Sequence, residues 1–544
     1  MNKNLTIRKL CLCAIFMSLF GALSCGVPQP NISPTNAITP SHAYIPAVWT
    51  ESPNINVSVP KTFDPQNITL DDLIKNNIGP GIAYSRLIKL KTGPSSPSPS
   101  IQLECDLCET WEYETNNGWT FKLKQNIVWQ TGESLTAKDV ANNYFPEVIT
   151  GSLLNQRLNS ASITGIQIHN DYSFTLQSSY YDHDILSQLS GATNKLIDPL
   201  NLENHSNDNT IITRFPGSGP WSFSSITSDS QVTMTKNAFY HEKILPLVNQ
   251  ITINYIENLS ESKIIALIQS GTADIASNYS LSSDMLVNND SDYQVIQSHG
   301  YGGPTILLNS SLSPLDKLDF RKFILKSLDP WLNNKKSGFL NSKIGIGLPL
   351  TQPDLQINQT EIRSLYFADP VSSQTYLKEA IDSHILNIGV QDTGDSYSDI
   401  MKLTIQDLKN ANFNINIIPL SENSYKKELT NKQSTYHILM GVIPSTNTLN
   451  EYTLSLIHQK GSINFINHND SYLNELIEEQ SKEPNQLIRT SKLREIQNNV
   501  LDNAYMYNSL NLQTSWFHSN NVKNFFPTDV SNEYFFWSTV WVDN

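Results

Sequence analysis

Trp119, Phe121 and Leu123 alternate with Thr120, Lys122 and Lys124, a period of two that predicts a strand with one buried face. Ile127, Val128 and Trp129 form a second short apolar run, and Gln130-Thr131-Gly132 supplies turn residues. Thr136 then stands three residues before Asp139, at the head of a segment carrying Val140 and Tyr144. This spacing predicts a capped helix in which the threonine hydroxyl accepts an early backbone N–H and the carboxylate sits at the positive helix end. The expected order is strand, strand, turn, helix.

The same reading extends along the chain. Ile166, Ile168, Tyr172, Phe174 and Leu176 predict a hairpin turning near Asn170-Asp171. Ser260 caps a helix with Ile264, Ile265, Leu267 and Ile268 on its apolar face, and Gly271 is placed to terminate it. Ile385 to Val390 reads as a strand, Asp399 to Asn412 as a helix and Phe413 to Ile418 as a second strand, which implies a parallel βαβ element. Tyr472 to Gln480 and Pro484 to Leu501 read as helices, the second with proline in its first turn and Leu493, Ile496 and Val500 on one face. The last segment, 508–544, is aromatic and strand-rich, with Trp516, Phe517, Tyr534, Phe535, Trp537 and Trp541. At 544 residues the chain exceeds one ordinary core, so two or three domains are expected.

The first residues carry a different pattern. Lys3, Arg8 and Lys9 precede an apolar run from Leu10 to Leu23, the layout of a secretory signal over residues 1–24. An uncleaved anchor is the alternative, for which the run is short. Ala22-Leu23-Ser24 leads into Cys25 and resembles a bacterial lipobox, with Ala22 where leucine is more usual. The resemblance implies that Cys25 is lipidated and becomes the mature N-terminus. Residues 25–45, rich in Pro, Ser, Thr and Asn, read as a flexible tether.

Composition removes several function classes. A formal net charge of −14 offers no basic groove and argues against nucleic acid. The 11 histidines are scattered, and none forms an H-E-x-x-H arrangement or a close pair with cysteine. No G-x-S-x-G elbow is present. Carboxylate pairs such as Asp71-Asp72 and Glu478-Glu479 read as solvated helix faces, so catalysis has no positive support and the chain is expected not to be an enzyme. Pro216-Gly217-Ser218-Gly219-Pro220 reads as a tight turn, because no helix or Gly-Lys-Ser/Thr follows it as a phosphate loop would require. Of five cysteines, Cys11 and Cys13 leave with the signal and Cys25 would carry lipid. Cys105 and Cys108 remain as an isolated C-x-x-C without the further ligands a zinc site needs. A structural disulfide is favoured over free thiols, since export exposes the pair to an oxidising compartment.

The stretch from Thr120 to Val140 also resembles the signature region of the extracytoplasmic solute-binding proteins of ABC importers, peptide/nickel class (family 5). Further points of resemblance are Phe63-Asp64-Pro65, Tyr84-Ser85-Arg86-Leu87, Leu107-Cys108-Glu109-Thr110-Trp111, the Gly217–Trp221 turn and Gly271 to Ile275. The resemblance spans roughly residues 55–525 and implies an α/β, two-lobed periplasmic-binding-protein-like fold of type II, in the large three-subdomain variant. The expected division is lobe I over 46–309 with an inserted subdomain over about 91–210, lobe II over 310–507, and a return to lobe I over 508–544.

The implied function is capture of an organic solute or peptide in an interlobe cleft and delivery to a membrane permease. The chain would act as a monomer, tethered outside the cytoplasm by lipid, without cofactor or metal. A surface lipoprotein using the scaffold for adhesion or chaperoning is the alternative. In peptide-binding members a Gly-Trp-x-x-Asp segment supplies an acid that pairs with the ligand's amino terminus. The corresponding stretch here runs from Tyr436 through Gly441, Val442 and Ile443 to Ser445 and Asn447, with Val442 at the Trp position and Ser445 at or near the Asp position. An uncharged hydroxyl cannot replace that ion pair. Tyr301 and Pro304 fall where the chain would approach the hinge, and Tyr301 and Tyr436 are read either as ligand contacts or as core aromatics.

Overall fold

Ile55, Val57 and Val59 are buried along the strand Ser52–Pro60, which in the computed structural model lies inside a seven-stranded sheet. The structure describes residues 52–61, 80–91, 102–145, 162–191, 194–198, 216–228, 230–279, 293–339, 343–349, 355–369, 384–393, 396–446, 448–511, 513–527 and 538–543. The signal segment, Cys25, the tether, Phe63-Asp64-Pro65, Asn447 and the aromatics Tyr534, Phe535 and Trp537 lie outside these residues.

Ser52–Pro60 pairs in parallel with Val248–Ile256 and Ile275–Tyr279. Gln513–Ser519 and Tyr293–His299 continue the sheet on one side, and Gln231–Lys236 and Trp221–Ser228 on the other. A five-stranded sheet forms the second lobe in the order Ile415–Leu420, Leu386–Gln391, Ile438–Thr446, Tyr301–Leu308, Met506–Asn508. Leu386–Gln391 and Ile415–Leu420 are parallel and enclose the helix Ser396–Asn410, the expected βαβ element.

The second sheet begins at Tyr301, not near residue 310, and it keeps Met506–Asn508 before the chain returns to the first sheet at Gln513. Every residue of Tyr301–Leu308 is buried, so its sequence has no alternation that could assign it to a sheet. The chain thus crosses between lobes at 299–301 and again at 508–513. His299 pairs with Gln513 on one side and Thr305 with Asn508 on the other, so the two connections run side by side.

The third unit is a four-stranded antiparallel sheet of Cys108–Glu114, Gly118–Leu123, Ser173–Ser178 and Ile163–Asn170. Trp119, Phe121 and Leu123 are buried beside Phe174 and Leu176, and the Phe121 and Phe174 rings stack with centroids 5.4 Å apart. The run Ile127-Val128-Trp129 makes only an isolated bridge, Val128 to Ser134, because the turn through Gly132 ends it at once. Helix Ala137–Tyr144 is capped from the acid side: Asp139 Oδ2 accepts the Thr136 N–H at 2.7 Å and the Thr136 hydroxyl at 2.9 Å. The hydroxyl is therefore a donor to the carboxylate. Pro484 precedes the N-cap, Asn485, whose side chain accepts from Leu487 and Ile488 N–H. The helix Gln486–Asp502 thus begins two residues later than the proline suggested.

Gly217 and Gly219 let the turn before Trp221–Ser228 pack directly on Ala83, in the core of the first sheet. A Cβ at Gly217 would sit 2.2 Å from Ala83 O, and one at Gly219 2.5 Å from Ala83 C. Cys105 and Cys108 form a disulfide that joins the ends of Leu103–Cys105 and Cys108–Glu114. The loop between them presents Asp106, whose Oδ2 accepts the Arg86 N–H at 2.8 Å. Asp106 Oδ1 faces His241 Nε2 at 3.6 Å, and Lys89 Nζ lies 3.5 Å from Glu242 and 3.7 Å from Glu104. Lys89 holds Glu242 down, to about 2, against the opposing effect of burial. Burial lowers His241 to about 4, although Asp106 opposes the shift.

Gly219→Ala should cost about 2 kcal/mol in urea unfolding. Gly271→Ala, with positive φ but nothing within 4 Å of the added carbon, should cost only ~1 kcal/mol. His241 is neutral when folded and takes up a proton on unfolding below its ordinary value of 6.5. Its contribution is complete above that pH and is lost as pH falls toward about 4. That loss is on the order of 3 kcal/mol, so His241→Gln should flatten the fall in melting temperature between pH 6.5 and 4.

Candidate functional site

The strand Ile438–Thr446 lies between Tyr301–Leu308 and Leu386–Gln391, and it ends beside the first crossover between the lobes. Its pairing with Tyr301–Leu308 is antiparallel, Pro304 opposite Val442 and Tyr301 opposite Thr446, with an irregularity between Tyr301 and Gly303. Pro304, which has no N–H to give to a ladder, follows the irregularity and keeps its register with Val442. Gly302 permits the close approach, since a Cβ there would lie 2.5 Å from Ile443 O.

Backbone and hydroxyl groups knit the end of this strand to the crossover. Tyr301 N–H donates to Ser445 Oγ at 3.1 Å. The Thr446 hydroxyl donates to Thr448 O at 2.9 Å and approaches Tyr301 O at 3.4 Å. Val442 N–H is taken by Gln391 Oε1 at 2.7 Å. Gly441 faces the Tyr425 ring so closely that a Cβ would meet it at 2.3 Å.

The residues expected at the site separate into two groups. Tyr301, Ile443 and the backbone of Pro304 and Gly441 are buried, with Tyr301 and Ile443 in the core of the second lobe. Tyr436 packs partly buried against that core, and its carbonyl accepts from Asn309 at 3.4 Å. Val442, Ser445 and Thr446 are half-buried and Pro444 is exposed, which leaves one edge of the strand end accessible. Asn447 lies outside the described residues.

Sequence reasoning missed Asn508. Its amide is buried and donates to Thr305 Oγ1 and Tyr452 OH, both at 2.8 Å, tying the last strand of the second sheet to the helix after residue 448. Burial pushes the Tyr452 hydroxyl well above its ordinary range, so it remains protonated. A lone asparagine in an aromatic segment carries no periodic signal that would single it out. Among the described residues no group of three His, Cys, Asp or Glu side chains could hold a metal, and no helix is long and apolar enough to cross a membrane.

A sequence model of the bacterial extracellular solute-binding proteins, family 5 Middle, matches residues 102–464. The chain belongs to this family. Solved structures share the fold of this solute-binding protein along most of its length. A putative peptide binding protein, AppA from Clostridium difficile, is 17% identical and superposes with a TM-score of 0.73, over 90% of this chain and 100% of that one. DppA from Helicobacter pylori, in complex with the peptide STSA, is 14% identical with a TM-score of 0.69, over 90% and 98% of the two chains. AgaA from A. tumefacien R10, in complex with agropinic acid, is 14% identical with a TM-score of 0.69, over 90% and 99%. No curated protein matches the sequence. The fold is accordingly the two-lobed, mixed α/β architecture of these binding proteins, as the sequence led us to expect.

Ser445→Ala should leave Tyr301 N–H without its side-chain acceptor. The expected effects are faster hydrogen exchange at Tyr301 and a loss of about 1 kcal/mol in urea unfolding.

Proposed function

We propose that this chain is the solute-capturing component of an ABC import system. It takes an organic solute, an oligopeptide or a related compound, between its two lobes and presents it to a membrane permease. Cys25 anchors the protein by lipid outside the cytoplasm. The protein binds as a monomer and does not turn its solute over.

The observation that carries this reading is the placement of the strand end Val442–Thr446 beside the paired crossovers at 299–301 and 508–513. Two short connections side by side suit hinge closure of one lobe on the other. A solute held by this edge would favour the closed arrangement, and a permease could then distinguish loaded from empty protein. Peptide and agropinic acid complexes of proteins with this fold are consistent with an organic solute.

Ser445 narrows the chemistry. Its Oγ already accepts the Tyr301 N–H at 3.1 Å, and it carries no charge for a ligand ammonium. On this strand end, recognition would fall to backbone groups and the apolar surface of Val442 and Pro444.

Mass spectrometry of small molecules released from purified protein should identify the solute class, and adding that compound back should raise the melting temperature. If the solute is a peptide, blocking its α-amino group by acetylation should weaken binding by less than about tenfold, or 1.4 kcal/mol. A larger loss would contradict the role given to Ser445. Radiolabelled fatty acid should be incorporated by the natural chain and not by Cys25→Ala.

A further inference from the structure

Away from the strand end, the third unit touches the second lobe through a buried pair of charges. Asp184, at the start of the helix Ile185–Ser190, is 3% exposed, and Arg489, in the helix Gln486–Asp502, is 4% exposed. Arg489 Nη2 lies 3.4 Å from Asp184 Oδ1. The guanidinium is aimed by Gln480, whose Oε1 accepts from Arg489 Nε at 3.1 Å and whose amide in turn donates to Asn450. Burial pushes the Asp184 carboxyl above its ordinary range, and Arg489, Thr448 and Asn450 beside it oppose that shift. Beside the pair, His183 N–H donates to Ser481 O at 3.0 Å, and the Lys482 ammonium stands 5.2 Å over the Tyr180 ring.

We propose that Asp184 and its socket of Thr448, Asn450, Gln480 and Arg489 form a solute-independent latch that holds the third unit against the second lobe. The groups on the two sides come from segments more than 250 residues apart, so only the relative placement of the units brings them together. When the units separate, water reaches both charges. When they meet, both are desolvated and the attraction between them offsets that cost. Such a pair is near break-even as a whole, which makes the contact reversible. It becomes strongly unfavourable when one partner is removed, because the other is left buried and unpaired. The latch is therefore weak as a fastener and strict as a test of register, since closure is tolerated only with both charges in place. The strand end Val442–Thr446 leads directly into Thr448 and Asn450, so the latch and the proposed binding edge share one stretch of chain. The latch uses protein groups alone and stands whether or not the proposed solute role is correct.

The test uses the full chain freed of bound small molecules by unfolding, dialysis and refolding. Small-angle X-ray scattering gives its radius of gyration, and hydrogen exchange follows segments 180–185 and 448–452. Asp184→Asn and Arg489→Gln should each enlarge the radius of gyration and raise exchange at both segments by about tenfold or more, leaving the strands of the first sheet protected. The double variant should return toward natural values, because two neutral amides can meet without a lone buried charge. Unchanged scattering and exchange in the single variants would overturn the latch, as would a double variant whose opening is the sum of the two singles. Should a single variant lose protection throughout, the double variant decides: recovery supports the latch and continued loss overturns it.

Discussion

The antiparallel pairing of Tyr301–Leu308 with Ile438–Thr446 is the contact on which the candidate site depends. The first strand starts two residues after Tyr293–His299 of the first sheet ends, and the second ends opposite that start. Their approach is so close at Gly302 that no side chain fits between backbone carbonyls. Ser445 and Thr446 then spend their hydroxyls on the crossover itself. The strand end is thus bonded directly to the connection between the two sheets.

Much of the scaffold was legible because one face of each element meets solvent. Trp119, Phe121 and Leu123 declare a strand because Lys122 between them is exposed. The helix Glu261–Gln269 is marked by Ser260 before it and by Gly271 in the left-handed region after it. Legibility failed where that contrast disappears. Tyr301–Leu308 is buried throughout, so no alternation in its sequence marks it as a strand of the second sheet. Ile127-Val128-Trp129 has the composition of a strand, yet the turn after it leaves room for one bridge only. Local hydrophobicity does not report how much partner a strand will find.

For the candidate site, the sequence marked a stretch of chain and not the orientation of its side chains. The family pattern pointed to Gly441–Ser445, and that stretch lies beside the crossover. Spacing could not tell which side chains face inward: Ile443 and Tyr301 enter the core, whereas Pro444 is exposed. Asn508 and the Asp184–Arg489 pair were invisible for a different reason. Each is a polar residue whose partners come from remote segments, with Asn508 bonded to residues 203 and 56 positions away and Asp184 to one 305 away. Polar satisfaction in a core is a property of the assembled chain.

The disulfide between Cys105 and Cys108 closes a ring across a sequence separation of only 3. Cross-links stabilise largely by shortening the excursions open to an unfolded chain, and the gain grows with the length enclosed. A ring this small takes little freedom from the denatured chain, so the bond is better understood as a jig than as a rivet. It holds Asp106 at the tip of a fixed corner, where one carboxylate oxygen meets the Arg86 amide and the other looks toward His241. Because both sulfurs belong to one short stretch, the bond constrains the corner itself and not the distance between the neighbouring sheets.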